Sequence, residues 1–472
     1  MYRSLKKIQE AINLKQLSVK QIVEHYIEKA ETNKHLNAIV EVFYDSLDKA
    51  QHIDNKINQG KAGRLAGMVI AIKDNISYKD HNVSAASKIL GGFKALYTAT
   101  ALERLIAEDA IIIGRSNCDE FAMGSATDTS YYGPTKNPID ITKVPGGSSG
   151  GSAAAVKAGL CLAALGTDTG GSVRQPAAFC DVVGLKPTYG RISRYGVIAF
   201  ASSFDQIGIF ANNIEDTATI LEVIAGKDQN DDSSSSEPVQ PYKNLLQGNK
   251  NFKIAYSPKT LDYKDIDQEI SIKTKATLDK IKSNNFQVQE IDFPYLDYVL
   301  PAYYIISSAE ASSNLARYDG LRYGFRAKDV HSLEDTYKRT RSIGFGSEVK
   351  RRIILGTFVL SSGYYDAYYT KAQKVRQLIT LYLNSILEKH DFIVLPTSPT
   401  TPWLIGQKDY NGSQQYIADI YTVIASLAGL PAISITNGQH SNKMPIALQI
   451  ISGKFQEAKL LAFDNYLYRN EA

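Results

Sequence analysis

Two glycine–serine clusters, Gly146-Gly147-Ser148-Ser149-Gly150-Gly151-Ser152 and Thr169-Gly170-Gly171-Ser172, constrain this chain more than any other feature. Glycine at this density lets the backbone take positive φ and approach another group closely, which a packed helix or strand does not require. Serines among such glycines are potential nucleophiles, with backbone N–H groups beside them to hold an oxyanion. The run of small residues between the clusters predicts a helix over 153–165. The stretch reads as an enzyme's active site.

The flanking pattern sets the architecture. Gly67-Met68-Val69-Ile70-Ala71-Ile72, Asp109 to Gly114, Phe252 to Tyr256 and Asp391 to Pro396 are short apolar runs of the kind buried strands use. Between and around them lie helical patterns. Ser18 and Gln21 form a capping box ahead of Ile22, Tyr26, Ile27 and Ala30, and Asn213 caps a helix that stops at Gly226. A further helix is expected near 270–282, and a long, tyrosine-rich helical pattern from 348 to about 388. Strands alternating with helices predict an α/β fold. The serine-rich run 228–238 is expected to be an exposed loop. With 472 residues a large core is feasible, and a net charge of +4 is weak over this length and neither suggests nor excludes a nucleic-acid partner. Three cysteines without a CxxC pair suit a reducing cytosol, and the N-terminus lacks a signal peptide's apolar core. No segment has the roughly 18 uninterrupted apolar residues of a membrane span.

Three chemistries compete for the glycine–serine region. A phosphate-binding loop needs lysine where Ser152 stands, so that reading fails. A nucleophile elbow fits Gly146 to Gly150 in pattern, but it wants a strand just before it and a histidine partner. The approach through Asn137-Pro138 and Pro145 is turn chemistry, and the downstream histidines His331, His390 and His440 lie in no motif. The third option is a serine served by a lysine. Lys73 ends an apolar strand, where its stem would be buried; its amine must be desolvated or placed near positive charge to act as a base near neutrality.

Lys73-Asp74-Asn75, the first glycine–serine cluster and Asp168-Thr169-Gly170-Gly171-Ser172-Val173-Arg174-Gln175-Pro176-Ala177 together resemble the amidase signature family. The resemblance implies an α/β amidase fold, a central twisted mixed sheet covered by helices on both faces. It also implies a Ser–cis-Ser–Lys triad: Ser172 as the acylated nucleophile, Ser148 as proton relay after a cis peptide bond, and Lys73 as base. Backbone N–H groups of Thr169, Gly170, Gly171 and Ser172 would form the oxyanion hole. Ser149 and Ser152 are expected to brace the turn, Asp168 and Arg174 to form a local polar network, and Cys118 to be a packed side chain.

Further stretches narrow the resemblance. Met123-Gly124-Ser125, Leu185 to Gly196, Tyr318 to Gly324, Glu348 to Ile353 and Ser361 to Tyr369 resemble the glutamine-hydrolysing branch of the family, the A subunits of tRNA-dependent amidotransferases. The similarity spans nearly the whole chain and implies one amidase domain over 1–472, with a catalytic core near 60–210 and substrate-side helices near 300–430. It implies partner subunits B and C, no cofactor in this chain, and ATP and Mg2+ used by the B subunit, which would also hold most of the Glu-tRNA(Gln). Asp419, an isolated acid among Tyr416, Ile417, Ile420 and Val423, is expected to meet a substrate ammonium. Arg352 would grip the substrate carboxylate, a choice over Arg351 that periodicity leaves open and the resemblance makes. Tyr303, Met123, Gly124 and Ser125 complete the expected pocket. Thr436 and Ala447 depart from the family's usual proline and glycine, which bears on packing near the pocket. A free-standing amidase on small or lipophilic amides and a catalytically silent scaffold are the alternatives.

Overall fold

Apolar runs such as Val69-Ile70-Ala71-Ile72 are hydrophobic on both faces, so they belong in a sheet covered on both sides. The computed structural model describes residues 2–247, 251–407 and 414–469. Among them one mixed, twisted sheet runs through the molecule. Its strands are β1 (Ile39–Val42), β2 (Val69–Lys73), β3 (Ile111–Ser116), β4 (Ala163–Asp168), β5 (Val183–Lys186), β6 (Gln206–Ala211), β7 (Lys253–Tyr256), β8 (Gln287–Glu290), β9 (Phe392–Pro396), β10 (Ala432–Gln439) and β11 (Pro445–Ser452). Their spatial order is β1-β3-β2-β4-β6-β5-β10-β11-β9-β7-β8. β3, β2 and β4 run parallel, as do β9, β7 and β8; the remaining neighbours are antiparallel.

The two-residue period of the strands sorts their side chains into two cores. Ile254, Phe392, Val394 and Ile450 join a cluster with the helices Val19–Thr32, Thr100–Ala107, Ile214–Ile224 and Glu457–Arg469. Their chain neighbours Ala255, Ile393, Leu395 and Ile451 face the helices Leu296–Asn314, Lys371–Leu387 and Thr422–Ala428 instead. The capping box at Ser18 and Gln21 and the Asn213 cap are formed as the sequence predicts.

Three expectations need correction. The helix over 153–165 is a shorter one, Gly150–Lys157, followed by a turn at Gly159 (φ 68°) and then strand β4. Alanine, cysteine and leucine fit either element; β4 becomes a strand because Ala163 and Leu165 pair with β2 on one side and β6 on the other. The run 228–238 is not simply exposed. Asp228 accepts hydrogen bonds from Thr100 and Ser193 (2.6 Å each), Asp231 accepts the Arg194 N–H at 2.8 Å, and both aspartates are buried. The pattern from 348 to 388 is two helices, Ser347–Val359 and Lys371–Leu387, broken near Gly363 and rejoined through a π-turn at Asp366–Thr370.

Candidate active site

The site lies beyond the carboxyl ends of two parallel neighbours, β2 and β4, where sheets of this kind open onto their loops. Lys73 is the last residue of β2, and Asp168 is the last of β4. The buried Lys73 amine donates to three hydroxyls: Ser148 Oγ at 2.7 Å, Ser149 Oγ at 2.9 Å and Thr167 Oγ1 at 3.0 Å. Burial pushes its pKa down to about 8 against the partial restoring pull of Cys118, Asp119, Asp168 and Asp205. This brings a lysine within range of base chemistry at mildly alkaline pH.

The Gly147–Ser148 peptide is cis. The turn is held from both sides, with Gly147 N–H donating to Gln175 Oε1 at 2.9 Å and Ser148 O accepting from Asp119 N–H at 3.1 Å. Ser172 lies alongside, its carbonyl accepting the Ser149 N–H at 3.2 Å. Lys73 and Ser148 are sealed, whereas Ser172 keeps 8% of its surface exposed, and among the described residues its hydroxyl makes no side-chain hydrogen bond. A nucleophile must be reachable by substrate, and hydrogen bonds of this kind tighten in the substrate complex.

The turn after β4 presents unused donors. Among the described residues the N–H groups of Gly170, Gly171 and Ser172 have no protein acceptor. Gly171 has φ 136°, and a methyl group on it would collide with Thr422; one on Gly170 would strike the Tyr303 ring. The turn is braced by a Thr169–Asp205 hydrogen bond of 2.6 Å and by Thr422 Oγ1 donating to Gly170 O at 2.6 Å. Behind it, buried Arg174 pairs with Asp168 at 2.8 Å and also donates to Thr422 O at 2.7 Å. Burial would raise the Asp168 pKa, but Arg174's charge and hydrogen bonds hold it below the usual carboxylate range.

A second cluster sits on the side of the later helices. Asp419 accepts from Ser125 Oγ (3.0 Å) and Tyr304 OH (3.0 Å), and burial pushes its pKa up to about 7 despite those bonds and nearby Arg352. The Arg352 side chain is 7% exposed and that of Arg351 is 64% exposed. Arg352 Nε donates to Glu348 at 2.8 Å, and its guanidinium lies 5.2 Å from the Tyr304 ring centroid and 5.4 Å from that of Phe200. Burial alone would lower its pKa, but the Tyr304 and Glu348 oxygens outweigh that and keep it charged.

Residues 21–461 match the family model described as Amidase. The chain belongs to the amidase family. Over 98% of its length it is 48% identical to the glutamyl-tRNA(Gln) amidotransferase A subunit of Chlorobaculum parvum, covering 96% of that protein. Among solved structures, the glutamyl-tRNA(Gln) amidotransferase A subunit from Thermotoga maritima is 37% identical with a TM-score of 0.76, covering 94% of this chain and 93% of that one. The peptide amidase of Stenotrophomonas maltophilia is 27% identical with a TM-score of 0.84, covering 98% and 96%.

In this amidase the residues singled out from sequence fall into two neighbouring groups. Lys73, Ser148, Ser172 and the turn from Thr169 converge on one edge of the sheet. Arg352, Asp419, Tyr303 and Ser125 gather beside it, with buried Met123 preceding Gly124, which packs on Asp119. Cys118 is fully buried, and burial raises its thiol pKa. Ser149 does more than brace its turn, because it also accepts from Lys73. Sequence reasoning missed Thr167, Tyr304, Gln175, Asp119, Glu348 and Thr422. Most act through partners distant in sequence, but Glu348 meets Arg352 one turn away on its own helix, Gln175 and Glu348 stand inside stretches that the sequence singled out, and Tyr304 adjoins Tyr303. Among the described residues no group of three or more His, Cys, Asp or Glu side chains is placed to hold a metal ion, and no helix is long and apolar enough to cross a membrane.

Proposed function

We propose that this amidase hydrolyses free glutamine as the ammonia-producing subunit of a tRNA-dependent amidotransferase. The observation that carries the reading is the pairing of the Lys73–Ser148 contact with two opposite buried charges, Arg352 and Asp419, beside it. An amino-acid amide supplies the complement: its α-carboxylate to the guanidinium in a bidentate pair, and its α-ammonium to the carboxylate. A lipophilic amide would bring no counter-charge to either group, leaving Arg352 with Glu348 and Asp419 with the Ser125 and Tyr304 hydroxyls alone. The 48% identical relative, an amidotransferase A subunit, supports the same assignment.

In this reading, neutral Lys73 takes the Ser148 proton as Ser148 takes that of Ser172, and Ser172 Oγ attacks the side-chain amide carbon. The N–H groups from Thr169 to Ser172 hold the oxyanion. Collapse breaks the C–N bond; Lys73 returns the proton through Ser148, and ammonia leaves. Water then enters by the same relay and releases glutamate. Residues 1–472 form one amidase unit working in the cytosol, where its three buried free cysteines stay reduced. The ammonia passes to partner subunits, B and C, with ATP and Mg2+ consumed on B, where most of the Glu-tRNA(Gln) also binds.

The test is ammonia release from glutamine by the chain alone, then with B and C subunits, ATP and Glu-tRNA(Gln). Stimulation by the full mixture supports the reading. Turnover of simple aryl amides faster than glutamine, or a Ser172→Ala variant with undiminished ammonia release, overturns it.

A further inference from the structure

One buried carboxylate outside the proposed triad touches both halves of the site. Asp119 follows β3, and its side chain is enclosed. Oδ2 accepts the N–H groups of Thr127 (2.9 Å) and Ala126 (3.3 Å). Oδ1 accepts those of Asp128 (3.1 Å) and Thr129 (3.3 Å), together with Thr129 Oγ1 at 2.9 Å. Five donors from one loop therefore close on one carboxylate. Loops seldom bury their backbone donors without a regular partner, and here one side chain supplies it.

That loop begins at Ser125, the hydroxyl that holds Asp419. It is also fastened to the cis turn. Thr127 Oγ1 donates to Gly146 O at 2.8 Å and accepts the Gly150 N–H at 2.9 Å, and Gln175 spans Ser125 O (3.0 Å) and Gly147 N–H (2.9 Å). Asp119's own N–H donates to Ser148 O. Methyl groups on Gly124 or Gly147 would land on its carboxylate, so both segments pack directly against it.

We propose that Asp119 is a positioning residue that sets the Ser148 turn and the Ser125–Asp419 contact in one frame, so that proton relay and substrate grip are aligned together. This rests on the roles given above to Ser148 and Asp419. An amide in place of the carboxylate keeps one acceptor and turns an NH2 group toward donors, so Asp119→Asn breaks the frame at little change in volume.

The test is a double-mutant cycle in the full chain, assayed with whatever partner subunits the wild type needs and normalised to active sites. The amide is glutamine, or a simple aryl amide should the wild type prefer it, so a failed glutamine assignment shows in the wild type alone. Asp119→Asn is expected to raise KM and lower kcat together, each about tenfold, whereas Ser125→Ala raises KM alone. On the Asp119→Asn background the KM effect of Ser125→Ala should shrink to under about threefold, because its partner is already misplaced. Thr129→Val, which removes one of the five donors, should show the same joint pattern more weakly and serves if Asp119→Asn does not fold. Full additivity of Ser125→Ala and Asp119→Asn overturns the proposal. So does a kcat loss with unchanged KM in either Asp119→Asn or Thr129→Val, which would confine the effect to the relay, or unchanged kcat and KM in both, the mark of a merely structural role once rates are normalised to active sites.

Discussion

At the scale of single residues the site depends on two groups moved from their ordinary ionisation in opposite directions. Lys73 is a poor base in water, where its pKa is 10.5; burial brings it to about 8. The base form therefore gains with rising pH, and kcat/KM is expected to climb through an acidic limb centred near pH 8 in a pH–rate profile. Because the unfolded chain binds the Lys73 proton more tightly than the native one, this group also adds stability as pH rises from about 8 toward 10.5. Lys73→Met should cost about 10^3-fold in kcat while leaving substrate affinity nearly unchanged, as stopped-time ammonia assays and glutamine binding would show. Asp419, pushed up to about 7, is charged only above that pH in the free enzyme. KM for glutamine is thus expected to rise as pH falls below 7, and Asp419→Asn should raise it about 30-fold and flatten that dependence.

At the scale of elements, the turn after β4 holds the donors that the proposed mechanism assigns to the oxyanion, and its glycines are matched to what surrounds them. Gly171→Ala must accommodate both φ 136° and contact with Thr422, so the turn shifts. The expected loss is the equivalent of one displaced donor, about 3 kcal/mol in kcat/KM, with KM the lesser part of it. The sequence made the elements around this turn readable where local signals dominate. The capping box at Ser18, the Asn213 cap and the strand ending on Lys73 all stand where their patterns put them. It misled where tertiary pairing decides: β4 is built of residues equally at home in a helix, and the buried Asp228 and Asp231 sit in a run whose composition reads as solvent-exposed. The glycine–serine clusters marked the chemistry because it needs glycine backbone. Thr167 left no mark, since a hydroxyl reaching across the fold has no spacing to betray it; Asp119 left none because the loop N–H groups it gathers carry no side-chain signature, and the Glu348–Arg352 spacing of four is one that exposed helix faces share. Burial, invisible to periodicity, separates Arg352 from Arg351.

At the scale of the whole molecule, the mixed sheet divides the labour. The parallel trio β3, β2 and β4 delivers Lys73 and the two serine turns at its carboxyl edge, while the helices Ser347–Val359 and Thr422–Ala428 and the segment before the latter close over it with Arg352 and Asp419. Thr422 and Arg174 tie the two halves, since one bonds the Gly170 carbonyl and the other reaches from Asp168 to Thr422. In the proposed mechanism these bonds join the substrate-gripping half to the chemical half through the core. The central claim, an acyl-enzyme formed on Ser172 from glutamine, is tested most directly by rapid acid quench of the enzyme turning over glutamine, with its partner subunits present, followed by peptide mass spectrometry. The account predicts a glutamyl adduct on the peptide that contains Ser172, absent from Ser172→Ala. An adduct on any other side chain, or steady ammonia release from Ser172→Ala, would contradict it.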